Sequence, residues 1–285
     1  MKHAYLIIAH HEFEVLQKLV LCLDDCRNDI FIHFDKKVEH LPVITTEYAH
    51  LFILAHRINV HWGNISQIKV EYILFEEASK QGTYQYYHLI SGVHLPLRSQ
   101  DNIHAFFSQI QGSEVLTEMP TSVGEIALKM QKYNLFTVYF AHRLRIVRRF
   151  NQLLWRAFII LQKAFHISVN TRTPFYKASN WVSLTSEGVS FLLSKKREVL
   201  RKYRFSFCGD EFFVPSELEN SSFKARIRYE STLLKCDFKG ANSRIYRMSD
   251  YQDLMRSDCL FARKFSHDDM EVVNNIVKQV ISTKK

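Results

Sequence analysis

Two adjacent carboxylates, Asp210 and Glu211, stand between apolar runs in Cys208-Gly209-Asp210-Glu211-Phe212-Phe213, with Phe205 and Phe207 before them and Val214 after. Carboxylates are seldom buried without a partner or a task. A Glu held in an apolar wall has a raised pKa and can serve as a general base. The plain alternative is a helix start at which Asp210 caps and Glu211 faces water. Taken alone, the helix start is the stronger reading. The other segments of the chain change that balance.

A second pair has the opposite sign. Arg263 and Lys264 are adjacent cations in Leu260-Phe261-Ala262-Arg263-Lys264-Phe265. They fit two donors for a diphosphate, the Arg forking onto oxygens and the Lys acting as a point charge. A strand or turn with solvated cations fits equally well. Three more segments stand out: Ile32-His33-Phe34-Asp35-Lys36-Lys37, Val60-His61-Trp62-Gly63-Asn64-Ile65-Ser66 and Leu89-Ile90-Ser91-Gly92-Val93-His94-Leu95-Pro96-Leu97. Common chemistries are missing. There is no Gly-rich phosphate loop, no His-Glu-x-x-His, no Gly-x-Ser-x-Gly and no Asp-x-Asp to clamp a metal on a diphosphate.

The elements that position these groups alternate. Ala4–Ala9, Ile30–Phe34, Leu51–Ala55 and Tyr86–Ile90 read as strands. Glu12–Cys26 and Ser66–Ala78 carry apolar residues at helical spacing. Strands alternating with helices predict a mainly parallel central sheet with helices on both faces. Functional loops then lie at the carboxyl ends of the strands, where His10, Asp35 and Ser91 fall. Trp181–Leu184 reads as a further strand, with helices over Ser186–Lys195 and Asp269–Ile281.

The middle of the chain differs. Residues 126–165 form a basic, aromatic-rich amphipathic insertion of one or two helices. It either packs on the domain with solvated arginines or lies on an anionic membrane surface through residues 142–163.

Length and composition bound the rest. The chain has 285 residues, 47% of them hydrophobic and 24% charged, enough for one large globular domain. The net charge of +9 suggests an anionic partner. Five cysteines without a Cys-x-x-Cys pair fit neither a disulfide framework nor a zinc site. The first apolar run is too short for a secretory signal, and no run approaches a membrane span. No nucleic-acid motif accompanies the basic stretch, so no nucleic-acid partner is expected.

In these motifs the sequence resembles the core-2/I-branching β-1,6-N-acetylglucosaminyltransferases and the related peptide O-xylosyltransferases. The resemblance covers nearly the whole chain in order. It runs through the first strand with His10, His-x-Asp-Lys-Lys, Trp-Gly-x-x-Ser, Ser-Gly-x-x-x-Pro-Leu, Ser179-Asn180-Trp181, Asp210–Phe213 and Phe-Ala-Arg-Lys-Phe. Each motif is weak alone, and the six that follow the first strand are strong in register.

The resemblance implies an α/β fold of GT-A type in one domain, with a nucleotide-binding half over 1–100 and an acceptor and catalytic half over 170–285. It implies inverting transfer from a UDP-sugar, N-acetylglucosamine first and xylose as the alternative, to a glycan or lipid-linked glycan without a metal. Glu211 matches the family's general base. Arg263 and Lys264 match the diphosphate cations, with Arg244, or Arg247 close behind, as the upstream basic residue. Asp35 resembles the carboxylate that contacts uridine, and Ile8 and Arg57 lie in segments lining the same pocket. Asn180 and Trp181 resemble residues beside the donor sugar, and Glu118 falls where an acceptor-binding carboxylate is placed. The chain departs from the animal enzymes in starting at the first strand, without anchor, stem or disulfides. This implies a bacterial-type member on the cytosolic side, at the inner face of the membrane, in surface-polysaccharide synthesis. His94 stands where many relatives have an Asp, which bears on the acceptor. The competing reading is a catalytically inactive sugar-binding module, against which the joint presence of Glu211 and Arg263-Lys264 argues.

Overall fold

A computed structural model describes residues 2–239 and 242–282. The strands are β1 (His3–Ala9), β2 (Asn28–Phe34), β3 (His50–Ile53), β4 (Tyr86–Ser91), β5 (His94–Pro96), β6 (Glu114–Leu116), β7 (Ser183–Thr185), β8 (Ile227–Tyr229), β9 (Leu234–Lys235), β10 (Phe238–Lys239), β11 (Asn242–Ser243) and β12 (Phe261–Arg263). Seven build the central sheet in the order β3-β2-β1-β4-β7-β6-β8. Pairing is parallel from β3 through β4; β7 runs against both its neighbours, and β8 is parallel to β6. The expected mainly parallel α/β sheet is therefore present.

Alternation along β1 shows how the layers form. Tyr5, Ile7 and Ala9 face one core, which takes in Val15, Leu16, Leu19, Val20 and Leu23 of α1 (Phe13–Leu23) and Val272, Val273 and Ile276 of the last helix, Met270–Ser282. Ala4 and Leu6 face the other core, with Ile68, Tyr72 and Phe75 of α2 (Ser66–Gln81). Successive residues of a strand point to opposite faces, so a strand apolar at every position must be covered on both. Each large side chain buried this way contributes about 1.5–3 kcal/mol.

A small sheet in the order β5-β12-β9 attaches to one end of the central one. Its seam is the Ser-Gly-x-x-x-Pro-Leu segment. Gly92 N–H donates to the Ile8 carbonyl at 3.0 Å, Phe265 N–H to Val93 at 3.1 Å and Leu97 N–H to Leu260 at 2.8 Å. The register sets Arg263 opposite His94. The carboxyl ends of β1 and β4 are thereby joined to the strand that carries the cation pair.

The middle of the chain forms two helices beyond α3 (Gln100–Gln109): α4 (Val123–Met130) and α5 (Arg145–Ala164). Trp181 lies before β7 rather than in it, because that strand is confined to Ser183–Thr185, where it pairs with Tyr86–His88.

Candidate active site

Glu211 ends a short 3-10 turn, Gly209–Glu211, ahead of the helix Phe213–Glu219. The two carboxylates part company there. Asp210 is buried and accepts a 2.9 Å hydrogen bond from Gln67 Nε2. Burial, with Glu211 beside it, pushes its carboxyl up to about 7. Glu211 instead keeps a quarter of its side chain open and meets two ammonium groups, Lys129 Nζ at 3.3 Å and Lys177 Nζ at 3.6 Å. The carboxyl raised by an apolar wall is thus that of Asp210, while Glu211 sits in a cationic setting. Both lysines are also held by Glu125, at 2.8 and 2.7 Å. Burial opposes ionisation of Glu125, yet the hydrogen bonds from Lys129 and Lys177 override it and hold its carboxyl at about 2.

Lys129 and Lys177 carry no motif that sequence reasoning could seize. Glu125 and Lys129 form an ordinary i,i+4 helix pair, and Lys177 is one basic residue in a coil. Packing turns them into a site: α4 sets Lys129 beside the 3-10 turn, and Phe207 N–H donates to the Lys129 carbonyl at 3.0 Å. Gly63 completes the support. Its carbonyl accepts from Cys208 N–H at 3.0 Å, and a Cβ there would stand 2.5 Å from the Phe207 ring.

Residues 177–181 form a strap from the carboxylate to the cations. At one end Ala178 N–H donates to the Glu211 carbonyl at 3.0 Å. At the other the Arg263 guanidinium lies 5.1 Å from the centre of the Trp181 ring. Three residue steps separate Ala178 from Trp181, a span of at most about 11 Å. Asn180 lies within the strap. Exposed Glu118 joins it through a bridge to Ala178. Glu211, Glu118, Asn180, Trp181 and Arg263 are therefore gathered along one segment.

Arg263 is largely buried. Its Nη1 donates to Ser243 Oγ at 2.7 Å, and its Nε lacks a partner among the described residues, as does Nε2 of His94. The His94 ring packs edge-on against Trp181 at 5.0 Å. Burial, then the Arg263 charge, holds His94 well below the usual imidazole range. Arg244 stands beside the pair through its backbone, its carbonyl accepting from Lys264 N–H at 3.4 Å, while its exposed side chain pairs with Asp250; the Arg247 side chain faces Asp268 at 3.6 Å.

The remaining candidates cluster at the carboxyl ends of β1 and β2. Ile8 is half-buried on β1. Asp35 is buried, accepting from Lys37 N–H at 2.9 Å and Val60 N–H at 3.1 Å, with Lys37 Nζ at 3.1 Å. Its carboxylate thus organises the loop that includes Arg57, whose Nη1 donates to the Val38 carbonyl at 3.0 Å. Beside this loop lies an open cavity of ≈ 390 Å³ lined by His10, Phe13, Lys37, Val38, Glu39 and His40. His10 and His11 stack at 4.0 Å. Burial and the neighbouring His11 bring His10 down to about 4, with Asp35, Lys37 and Lys264 as further charges in its surroundings. Lys264 therefore lies close enough to these strand ends for its charge to act on His10. Among the described residues no group of three His, Cys, Asp or Glu side chains could hold a metal ion.

Residues 3–271 match the family model of the core-2/I-branching enzymes. Among solved structures, mouse xyloside xylosyltransferase 1 in its apo form is similar at 9% sequence identity and a TM-score of 0.39, over 92% of this chain and 96% of that chain. No curated protein matches.

Proposed function

We propose that this chain, which belongs to the core-2/I-branching enzyme family, is an inverting, metal-independent glycosyltransferase that uses a UDP-sugar. Family membership makes it a glycosyltransferase with a nucleotide-sugar donor and a glycan acceptor. The sugar, the chemistry at the anomeric carbon and the residue roles are our reading. N-acetylglucosamine is the donor sugar we assign, and surface-polysaccharide synthesis at the cytosolic face of the membrane is the setting.

The strap 177–181 carries this reading, because it ties the turn that bears one partly open carboxylate to the ring packed on one largely buried guanidinium. Inverting transfer needs a base on the acceptor side and positive charge on the leaving-group side. In our scheme the acceptor oxygen bonds to the anomeric carbon as the bond from that carbon to the diphosphate breaks. Glu211 takes the hydroxyl proton, and Arg263 and Lys264 meet the charge that develops on the departing diphosphate. Lys129 and Lys177 position the Glu211 carboxylate, at 3.3 and 3.6 Å. The Nε of Arg263, without a partner among the described residues, supports the cation role, since a buried charged donor is costly unless something accepts from it. The cavity beside Asp35 and His10 is of a size suited to the nucleoside.

The test is release of UDP from a panel of UDP-sugars, including UDP-N-acetylglucosamine and UDP-xylose, with EDTA present and glycan acceptors added. Turnover of UDP-N-acetylglucosamine that survives EDTA is expected. Loss of turnover with EDTA would overturn the metal-free assignment, and preference for UDP-xylose would replace the donor.

A further inference from the structure

The basic helix α5 has three distinct sides. One packs on the domain: Trp155 Nε1 donates to Asn134 Oδ1 at 2.8 Å, its ring lies 5.7 Å from Phe207, and buried Gln162 both accepts from and donates to the backbone of Tyr133. A second side is apolar and open to solvent. Ile146, Phe150, Leu153, Ala157, Ile160 and Leu161 recur at helical spacing, and all are exposed. The third borders the second and is cationic, with exposed Arg145, Arg149, Arg156 and Lys163.

This arrangement is unlike the rest of the surface. Among the described residues, eleven of the twenty large apolar side chains that are exposed lie between Phe136 and Ile167. Between Glu125 and Glu187 the chain has ten Lys and Arg and no Asp or Glu, out of totals of 38 and 29. The net charge of +9 is therefore concentrated in this one segment, and the remainder is near neutral.

We infer that α5 lies on an anionic lipid bilayer, its apolar side inserted at the headgroup boundary and its cations on the lipid phosphates. A continuous apolar stripe of this extent is rare on a solvated surface. A purely apolar stripe would leave the covering partner open, but the flanking cations without intervening carboxylates select an anionic one. The pairing of an apolar side with a Lys/Arg border is the interfacial pattern. No helix among the described residues is long and apolar enough to cross a membrane, so α5 lies on the surface rather than spanning it. Trp155 packs on Phe207, four residues before Glu211, so the docked side backs onto the segment that carries the carboxylate. Membrane docking does not depend on which sugar is transferred.

The experiment is co-sedimentation of the full chain with vesicles of equal parts phosphatidylglycerol and phosphatidylcholine, against phosphatidylcholine alone. Three proteins are compared: wild type, Arg145→Glu/Arg149→Glu/Arg156→Glu, and Phe150→Asp/Leu153→Asp. All five substituted side chains are exposed, so circular dichroism should be unchanged. Wild type should bind the anionic vesicles, and the triple charge reversal should weaken binding by more than about 100-fold, each cation near the surface being worth roughly 1 kcal/mol. The apolar variant should lose binding even at low salt. Absence of wild-type binding, or equal binding by all three proteins, would overturn the inference. Self-association in sedimentation velocity that is lost in the apolar variant, without vesicle binding, would assign the stripe to a second copy instead.

Discussion

Lys177 places its ammonium 3.6 Å from Oε2 of Glu211 and 2.7 Å from Oε1 of Glu125. With Lys129 at 3.3 and 2.8 Å from the same two carboxylates, the result is a closed set of two cations and two anions. Both ammonium groups are mostly sequestered from water, so the screening that weakens surface ion pairs is reduced here. Replacing Lys177 by Met should therefore lower kcat by about 10- to 100-fold, as expected for loss of a charged contact. Donor affinity should change little. Steady-state kinetics and calorimetry on the same variant separate these effects. A rise in KM with kcat unchanged would show that Lys177 binds substrate instead.

Gly63 adopts a φ of +70°, and its added Cβ would meet Phe207 at 2.5 Å. Both the backbone conformation and the space demand glycine. Gly63→Ala should destabilise the fold by about 1–3 kcal/mol in urea titration. Activity should fall further than folded fraction alone explains, because Phe207 and Cys208 lead into the Glu211 turn. Stability equal to wild type would contradict this packing.

Three histidines, His3, His88 and His104, meet beneath the sheet: His3 stacks on His104 at 4.0 Å and His88 Nε2 lies 3.0 Å from His3 Nδ1. Burial lowers all three, His3 to about 3, His104 to about 4 and His88 well below the usual imidazole range. The unfolded chain therefore binds more protons than the folded one below about pH 6.5. Stability should be full above that pH and be lost as pH falls from about 6.5 toward 4. Denaturant midpoints across this window check it, and His104→Gln should flatten the slope.

Glu71 is fully buried with no partner on either oxygen among the described residues, and Asp210 Oδ1 is equally bare there. Burial, and then the charge on Asp210, raise Glu71 well above the ordinary carboxyl range. A raised carboxyl makes the folded state the better proton binder, so this contribution worsens as pH rises. Glu71→Met should gain stability relative to wild type as pH rises above the ordinary carboxyl pKa of about 4.5. A difference independent of pH would contradict the assignment.

Much of the fold was legible because its signals are local. The unbroken apolar runs of β1, β2 and β4 and the helical spacing in α1 and α2 depend only on neighbours in sequence. Trp181 was less legible: its apolar run suggested a strand, but the cation of Arg263 and the ring of His94 hold it outside the sheet. The site was legible where charges stand adjacent, as in Asp210-Glu211 and Arg263-Lys264. It was illegible where partners come from distant segments. Nothing near Lys177 points to Glu125 or Glu211, and the division of labour between Asp210 and Glu211 depends on Gln67, far away in α2. The basic insertion was visible as composition, but its three sides required the helix phase that α5 supplies.

The most direct measurement compares UDP binding by calorimetry with UDP-sugar turnover for wild type, Glu211→Gln and Lys264→Ala. The account predicts that Glu211→Gln binds UDP as wild type does while turnover falls by about 100-fold or more. It predicts that Lys264→Ala loses about 10-fold or more in UDP affinity, as for a charged hydrogen bond removed. Wild-type turnover in Glu211→Gln, or wild-type UDP affinity in Lys264→Ala, would contradict the roles assigned to the carboxylate and to the cation pair.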